Sequence, residues 1–179
     1  MIKNLRNLNI NDLCKDTKRF IKDIQNEPDR SVPIVAVAFL DDVLKQLLEA
    51  YFIDDRQTVK QLLEYPGALS NFGARADTAY CLGLIPPKAY KDIVQIRKIR
   101  NKFSHSHFPV SFGNEDIADM CGKLYYFTLL STSVGFSCLP RDQFLIAAIM
   151  LINSILLKAL GVERAKKPKD YEIGEIVRA

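Results

Sequence analysis

Apolar residues recur along this chain at the three- and four-residue spacing of a helix, and no alternating run is flanked by a hairpin turn pair such as Asn-Gly. That pattern restricts the fold to helices packed on helices. Residues 5–25 place Leu5, Leu8, Leu13, Phe20, Ile21 and Ile24 at helical spacing, with lysines and aspartates between. The stretch NEPDRSVP breaks this helix. A second starts at Ser31-Val32-Pro33, where serine before an early proline suits a helix start, and runs through IVAVAFLDDVLKQLLEAYF. DDRQTVKQLLEY is a shorter amphipathic helix stopped by Pro66-Gly67, and SNFGARADTAYCLGLI is a fourth, ended by Gly83. Pro86-Pro87 opens the next, which ends between Ser104 and His107, ahead of Pro109. Asn114 caps another, with Glu115 and Asp116 well placed in its first turn. YYFTLLSTSVGFSCL carries β-rich residues among helices and reads as helix followed by loop. The last helix spans Asp142 to Leu160 and ends at Gly161. The expected architecture is an all-α single-domain bundle of about six to seven helices over residues 1–161, with a polar C-terminal tail over 162–179.

Charge narrows the function. The chain of 179 residues has a net charge of +4. Residues 88–107 carry Lys88, Lys91, Arg97, Lys98, Arg100 and Lys102 against Asp92 alone, a local +5 that leaves the rest close to neutral. A basic face suits a weak contact with nucleic acid or another polyanion, and a solvated helix face gives the same pattern. Cys14, Cys81, Cys121 and Cys138 form no C-x-x-C pair and lie far from His105 and His107, so neither a metal site nor a cofactor is expected. The N-terminus lacks the unbroken apolar stretch of a signal peptide. The longest apolar run, FLIAAIMLINSILL at 144–157, is broken by Asn153 and Ser154 and followed by Lys158, which reads as a buried core helix. A cytoplasmic protein without a membrane partner is the expectation. Phe72, Phe112 and Phe136 fall in loop-like segments, and incomplete burial there would suit a homodimer.

The stretch QIRKIRNKFSHSHF, residues 95–108, holds both histidines and most of the local charge. At about 100° per residue, Tyr90, Ile93, Val94, Ile96 and Phe103 gather on one arc. Lys91, Gln95, Lys98 and Lys102 take the opposite arc, where Ile99 is out of place. Arg97, Arg100, Asn101 and Ser104 fall inside the apolar arc. A buried guanidinium needs an acceptor, because it cannot discharge. Asp41, at the border of the stripe Val37, Leu40, Leu44 and Leu48, and its neighbour Asp42 are the candidates. An ion pair between Asp41 or Asp42 and Arg97 or Arg100 is therefore expected. The alternative is an open groove in which Arg100, Asn101 and His105 form a site.

The segment GALSNFGARADTAYCLGLIPPKAYKDIVQIRKIRNKFSHS, residues 67–106, resembles the mannitol operon repressor family of bacterial proteins. The shared features are Gly67 and Leu69, Ala74-Arg75, the YCLGLI block at Tyr80–Ile85, Tyr90, and Arg100 five positions before His105. The preceding helix with Asp41-Asp42 also fits, and the resemblance spans residues 30–107. It implies an all-helical domain that regulates transcription without a recognisable helix-turn-helix, through a protein partner or a basic face made by Lys88, Lys91, Lys98 and Lys102. A shorter resemblance links RNKFSH to the Arg-polar-x-x-x-His motif of HEPN-type helical proteins, many of them metal-independent ribonucleases. By that resemblance Arg100 would stabilise a phosphate transition state, Asn101 would fill the polar position and His105 would be the general acid or base. The run His105-Ser106-His107-Phe108 lacks the tyrosine that toxin-type members carry after the histidine. The regulator is the leading expectation and the ribonuclease its alternative.

Overall fold

Two helices that are apolar on most sides organise the molecule. The computed structural model describes residues 10–135 and 137–168, without the side chains of 10–16 and 134. Among the described residues there are eight helices and no strand: α1 (Ile10–Gln25), α2 (Ser31–Tyr51), α3 (Arg56–Leu63), α4 (Phe72–Cys81), α5 (Pro87–His105), α6 (Glu115–Gly122), α7 (Tyr125–Val134) and α8 (Pro140–Gly161). The count is one more than the six to seven expected. Residues 5–9 of the first expected helix, Phe136, and residues 169–179 of the expected tail lie outside the described residues.

α2 and α8 form the most extensive helix pair, and α4 and α5 pack against α2 while α6 and α7 pack against α8. The seam of α2 is Val37, Leu40, Leu44, Leu47 and Leu48, and that of α8 is Phe144, Ala148, Leu151, Ile152 and Ile155. Each such leucine or phenylalanine taken out of water contributes about 1.5–3 kcal/mol. By length and composition alone α8 could cross a membrane, yet these side chains are spent on contacts with other helices. The two polar residues inside its apolar run have partners: Asn153 Oδ1 accepts the Thr17 hydroxyl at 3.1 Å, and Ser154 Oγ donates to Leu151 O at 2.8 Å.

Phe72 and Phe112 are buried, against the expectation of loop phenylalanines at the surface. Phe72 opens α4, and Phe112 stacks at a tilt between Phe103 and Phe144. These two side chains therefore offer no apolar surface to a second copy of the chain. Arg141 at the head of α8 binds Asp29 at 2.6 Å and donates to Glu27 O at 2.6 Å, while Asp29 accepts the Phe112 amide at 3.1 Å. One arginine thus closes the end of α1, the α5–α6 loop and the start of α8 together. Beyond α8 the chain stops being helical: Ala165 N–H donates to Tyr51 O at 2.7 Å, and Arg164 sits 3.3 Å from Asp54.

Asp41 does not pair with Arg97 or Arg100. Its Oδ2 lies 2.6 Å from Nη1 of Arg75, which is only 6% exposed. The other guanidinium nitrogens of Arg75 donate to Leu69 O at 2.9 Å and Leu63 O at 2.8 Å. Gly67 sits inside the same loop, where a Cβ would collide with the carbonyls of Gln61, Leu62 and Glu64. Asp42 is exposed and has no ion pair among the described residues. Arg75→Ala should lower unfolding stability by about 3 kcal/mol, since it strands a half-buried carboxylate and two loop carbonyls. Asp41→Ala should cost less, because the guanidinium keeps its carbonyls. Urea midpoints that ranked the two variants in the reverse order would refute this account of the clamp.

Candidate functional site

The register of α5 decides which of its side chains can meet a partner. Pro87 stands at its first position, where a missing N–H costs nothing. The buried set is Ala89, Asp92, Ile93, Ile96, Ile99 and Phe103, a regular three- and four-residue stripe. This arc is rotated away from the one drawn through Tyr90 and Val94, both half-buried. Ile99, out of place in that earlier wheel, is fully buried, and Arg97, assigned to the apolar arc, is exposed. The reason is Asp92, a charged residue at the heart of the stripe, only 3% exposed. Its carboxylate accepts the amides of Tyr125 at 2.8 Å and Tyr126 at 3.0 Å. Those amides are free donors at the start of α7, so Asp92 acts as that helix's cap from a different helix. Gln95, expected in water, is half-buried and donates to Met120 O at 3.2 Å.

Rotation of the arc turns the arginines outward. Arg97 lies over the first turn of α4, its Nη1 against Gly73. Arg100 and Asn101 are half-buried, Ser104 donates to Arg100 O at 2.9 Å, and His105 is exposed. Among the described residues no hydrogen bond or ion pair joins the side chains of Arg100, Asn101 and His105, and none joins Arg97 or Arg100 to an acid. Of the four expected ridge lysines, two are engaged. Lys102 binds Asp116 at 2.6 Å, which holds that carboxyl below its ordinary range, and Lys88 lies 4.3 Å from the centre of the Tyr125 ring. Lys91 and Lys98 are exposed and have no ion pair among the described residues. No group of three or more His, Cys, Asp or Glu among the described residues is placed to hold a metal.

Two residues that matter most here were not assigned their roles from sequence. Arg75 sits on the buried stripe Phe72, Arg75, Ala76 and Ala79 of α4, and Asp92 on the stripe of α5. In both, one charge interrupts an otherwise apolar spacing, which is the available signal. Burial pushes the Asp92 carboxyl above its ordinary value, while the two amides pull the other way. The protonation-linked part of its contribution is thus complete below about pH 4, the unfolded value, and is lost as pH rises through the raised folded value, while the two amide hydrogen bonds remain. Asp92→Asn should flatten that part of the stability-versus-pH curve, and Asp92→Ala should cost about 2–3 kcal/mol at neutral pH by orphaning two amides. Chemical denaturation from pH 4 to 8 measures both.

Comparison with known proteins follows the same helices. The family model described as mannitol repressor matches residues 24–160, beyond the 30–107 of the sequence resemblance. The fold is similar to that in the X-ray structure of the MtlR–HPr complex from Escherichia coli, with a TM-score of 0.66 and 21% identity, over 78% of this chain and 98% of that one. It is also similar to that of a possible transcriptional regulator, YggD, from Shigella flexneri 2a str. 2457T, with a TM-score of 0.67 and 16% identity, over 78% of this chain and 96% of that one. No curated protein sequence matches. At these identities the structures speak for the fold, and they lend no support to the ribonuclease alternative. The family model covers α2 through α8 almost to its end, and the chain belongs to the mannitol repressor family.

Proposed function

We propose that this transcriptional regulator of the mannitol-repressor type works by binding a protein partner of the HPr kind, without enzymatic activity of its own, in the cytoplasm. The observation that carries the reading is the similarity of fold to a protein solved in complex with HPr. The surface supports it as well. Lys91, Arg97, Lys98 and Arg100 lie along one helix, exposed or half-buried and free of acids among the described residues.

Calorimetric titration of HPr from the same organism into the full chain tests the proposal, and saturable binding is expected. An absence of heat and of any shift in sedimentation would overturn it. A DNA contact led by phosphates would instead show affinity falling steeply with salt, by orders of magnitude for six or more contacts. The same preparation should leave a mixed RNA pool intact, with Arg100→Ala and His105→Ala indistinguishable from the parent. RNA cleavage lost in both variants would restore the ribonuclease reading.

A further inference from the structure

A hollow of about 590 Å³ opens where the end of α2, α3 and the end of α8 meet. Ile53, Val59 and Leu160 are apolar residues of its lining, each half-buried. Val162 and Arg164, on the non-helical chain that follows α8, belong to the lining too. Residues 162–168 therefore supply part of one wall. They lie just beyond the family match, which stops at residue 160.

This wall is attached lightly. Gly161, the last residue of α8, is exposed and has open space where a Cβ would stand, so the backbone can pivot there. Val162 packs half-buried against the core. Among the described residues, 162–168 make one main-chain hydrogen bond to the rest of the fold, from Ala165 N–H to Tyr51 O at 2.7 Å. It satisfies a carbonyl that the end of α2 leaves without a helical partner. The remaining attachment is charge. The segment carries Arg164, Lys166 and Lys167 against Glu163 alone. Arg164 lies 3.3 Å from Asp54. The Thr58 hydrogen bonds hold the Asp55 carboxyl below its ordinary range, and the charge of Lys167 adds to them. The other acids of the lining, Glu49 and Glu64, are met from within the body: Lys45 reaches both, and Lys60 also reaches Glu64. Arg56 follows Asp55 in the chain and offsets part of the attraction.

We propose that residues 162–168 form a detachable strap, pivoting at Gly161 and latched by charge on Asp54 and Asp55, whose release opens the hollow. Exposed ion pairs are weak and screened by salt. A segment with so few buried contacts opens without unfolding the bundle beneath it. Lifting it takes away the wall made by Val162 and Arg164 and leaves Ile53, Val59 and Leu160 accessible. Access to the hollow is then set by the electrostatics of the strap, and the packing of α2 on α8 stays as it is. The device does not depend on which partner the regulator binds.

The test uses the full chain with Asp54→Arg, Arg164→Asp and the two combined as a charge swap. Strap release is read as hydrogen exchange of the Ala165 amide by NMR, with the amide of the buried Leu47 as the reference for the bundle. Opening of the hollow is read as alkylation of Val59→Cys by N-ethylmaleimide, followed by peptide mass spectrometry. Each single reversal should speed Ala165 exchange about threefold or more, leave Leu47 unchanged, and raise alkylation of Val59→Cys in step. High salt should loosen the strap of the parent chain in the same way. The charge swap should bring both readouts back to the parental values. Unchanged Ala165 exchange in both single variants, or a swap that restores nothing, overturns the charge latch. Faster exchange at Ala165 without faster alkylation of Val59→Cys shows that the segment does not gate the hollow. Equal acceleration at Leu47 marks a loss of global stability and refutes a local strap.

Discussion

The contact between Arg75 and Asp41 is the constraint on which the functional face depends. An arginine buried in a helical bundle cannot shed its charge, so the fold must bring acceptors to it. Here the acceptors come from three directions: a carboxylate on α2, the carbonyl at the end of α3, and the carbonyl of Leu69 in the loop. α4 is thereby fixed on α2 by charge as well as by the packing of Ala76 and Ala79. Everything that α4 presents follows from that position: Gly73 beneath Arg97, Tyr80 against Tyr90, and the turn at Gly83. A glycine is required at 67 for the same reason, since the carbonyl-lined loop leaves no room for a side chain.

Asp92 plays the corresponding part for α5 and α7. A carboxylate carried into a helix interface is costly unless its lone pairs are met, and the first amides of α7 meet them. The arrangement ties the start of one helix to the middle of another without a side-chain partner. It also sets the rotation of α5. With Asp92 and Ile99 turned inward, Arg97 has to lie at the surface, and Arg100 lies at the boundary. The arginines therefore do not brace the core. That task falls to Arg75 and to Arg141, which were less conspicuous because they stand outside the basic cluster.

The all-helical class and most boundaries were legible because turn chemistry and apolar spacing agree along the chain. Pro66-Gly67, Gly83, Pro86-Pro87 and Gly161 fall where helices stop or start in the structure. The seam of α2 was legible for the same reason. The rotation of α5 was not. The wheel left Asp92 off the apolar arc, and leaving it out drags the arc toward Tyr90 and Val94 and brings Arg97 and Arg100 inside it. The ion-pair expectation failed by inheritance, since it took Arg97 and Arg100 as buried. The correct acid, Asp41, was identified, and the correct arginine was not, because α4 was read only for its ends. Phe72 and Phe112 were misplaced because a residue at a helix start or in a short loop can still point into the core. The family was legible from block order in residues 67–106, which lie inside the matched residues 24–160.

A fold like this constrains how a regulator can act. To read bases, a helix must protrude far enough to enter a groove. α5, the most basic helix, has one face sealed by Asp92, Ile96, Ile99 and Phe103 and is packed by α2, α4, α7 and α8. Its cations can touch phosphates or carboxylates but cannot be inserted. Charge of that kind steers association and rejects basic partners more than it fixes identity. Identity has to come from shape and apolar fit.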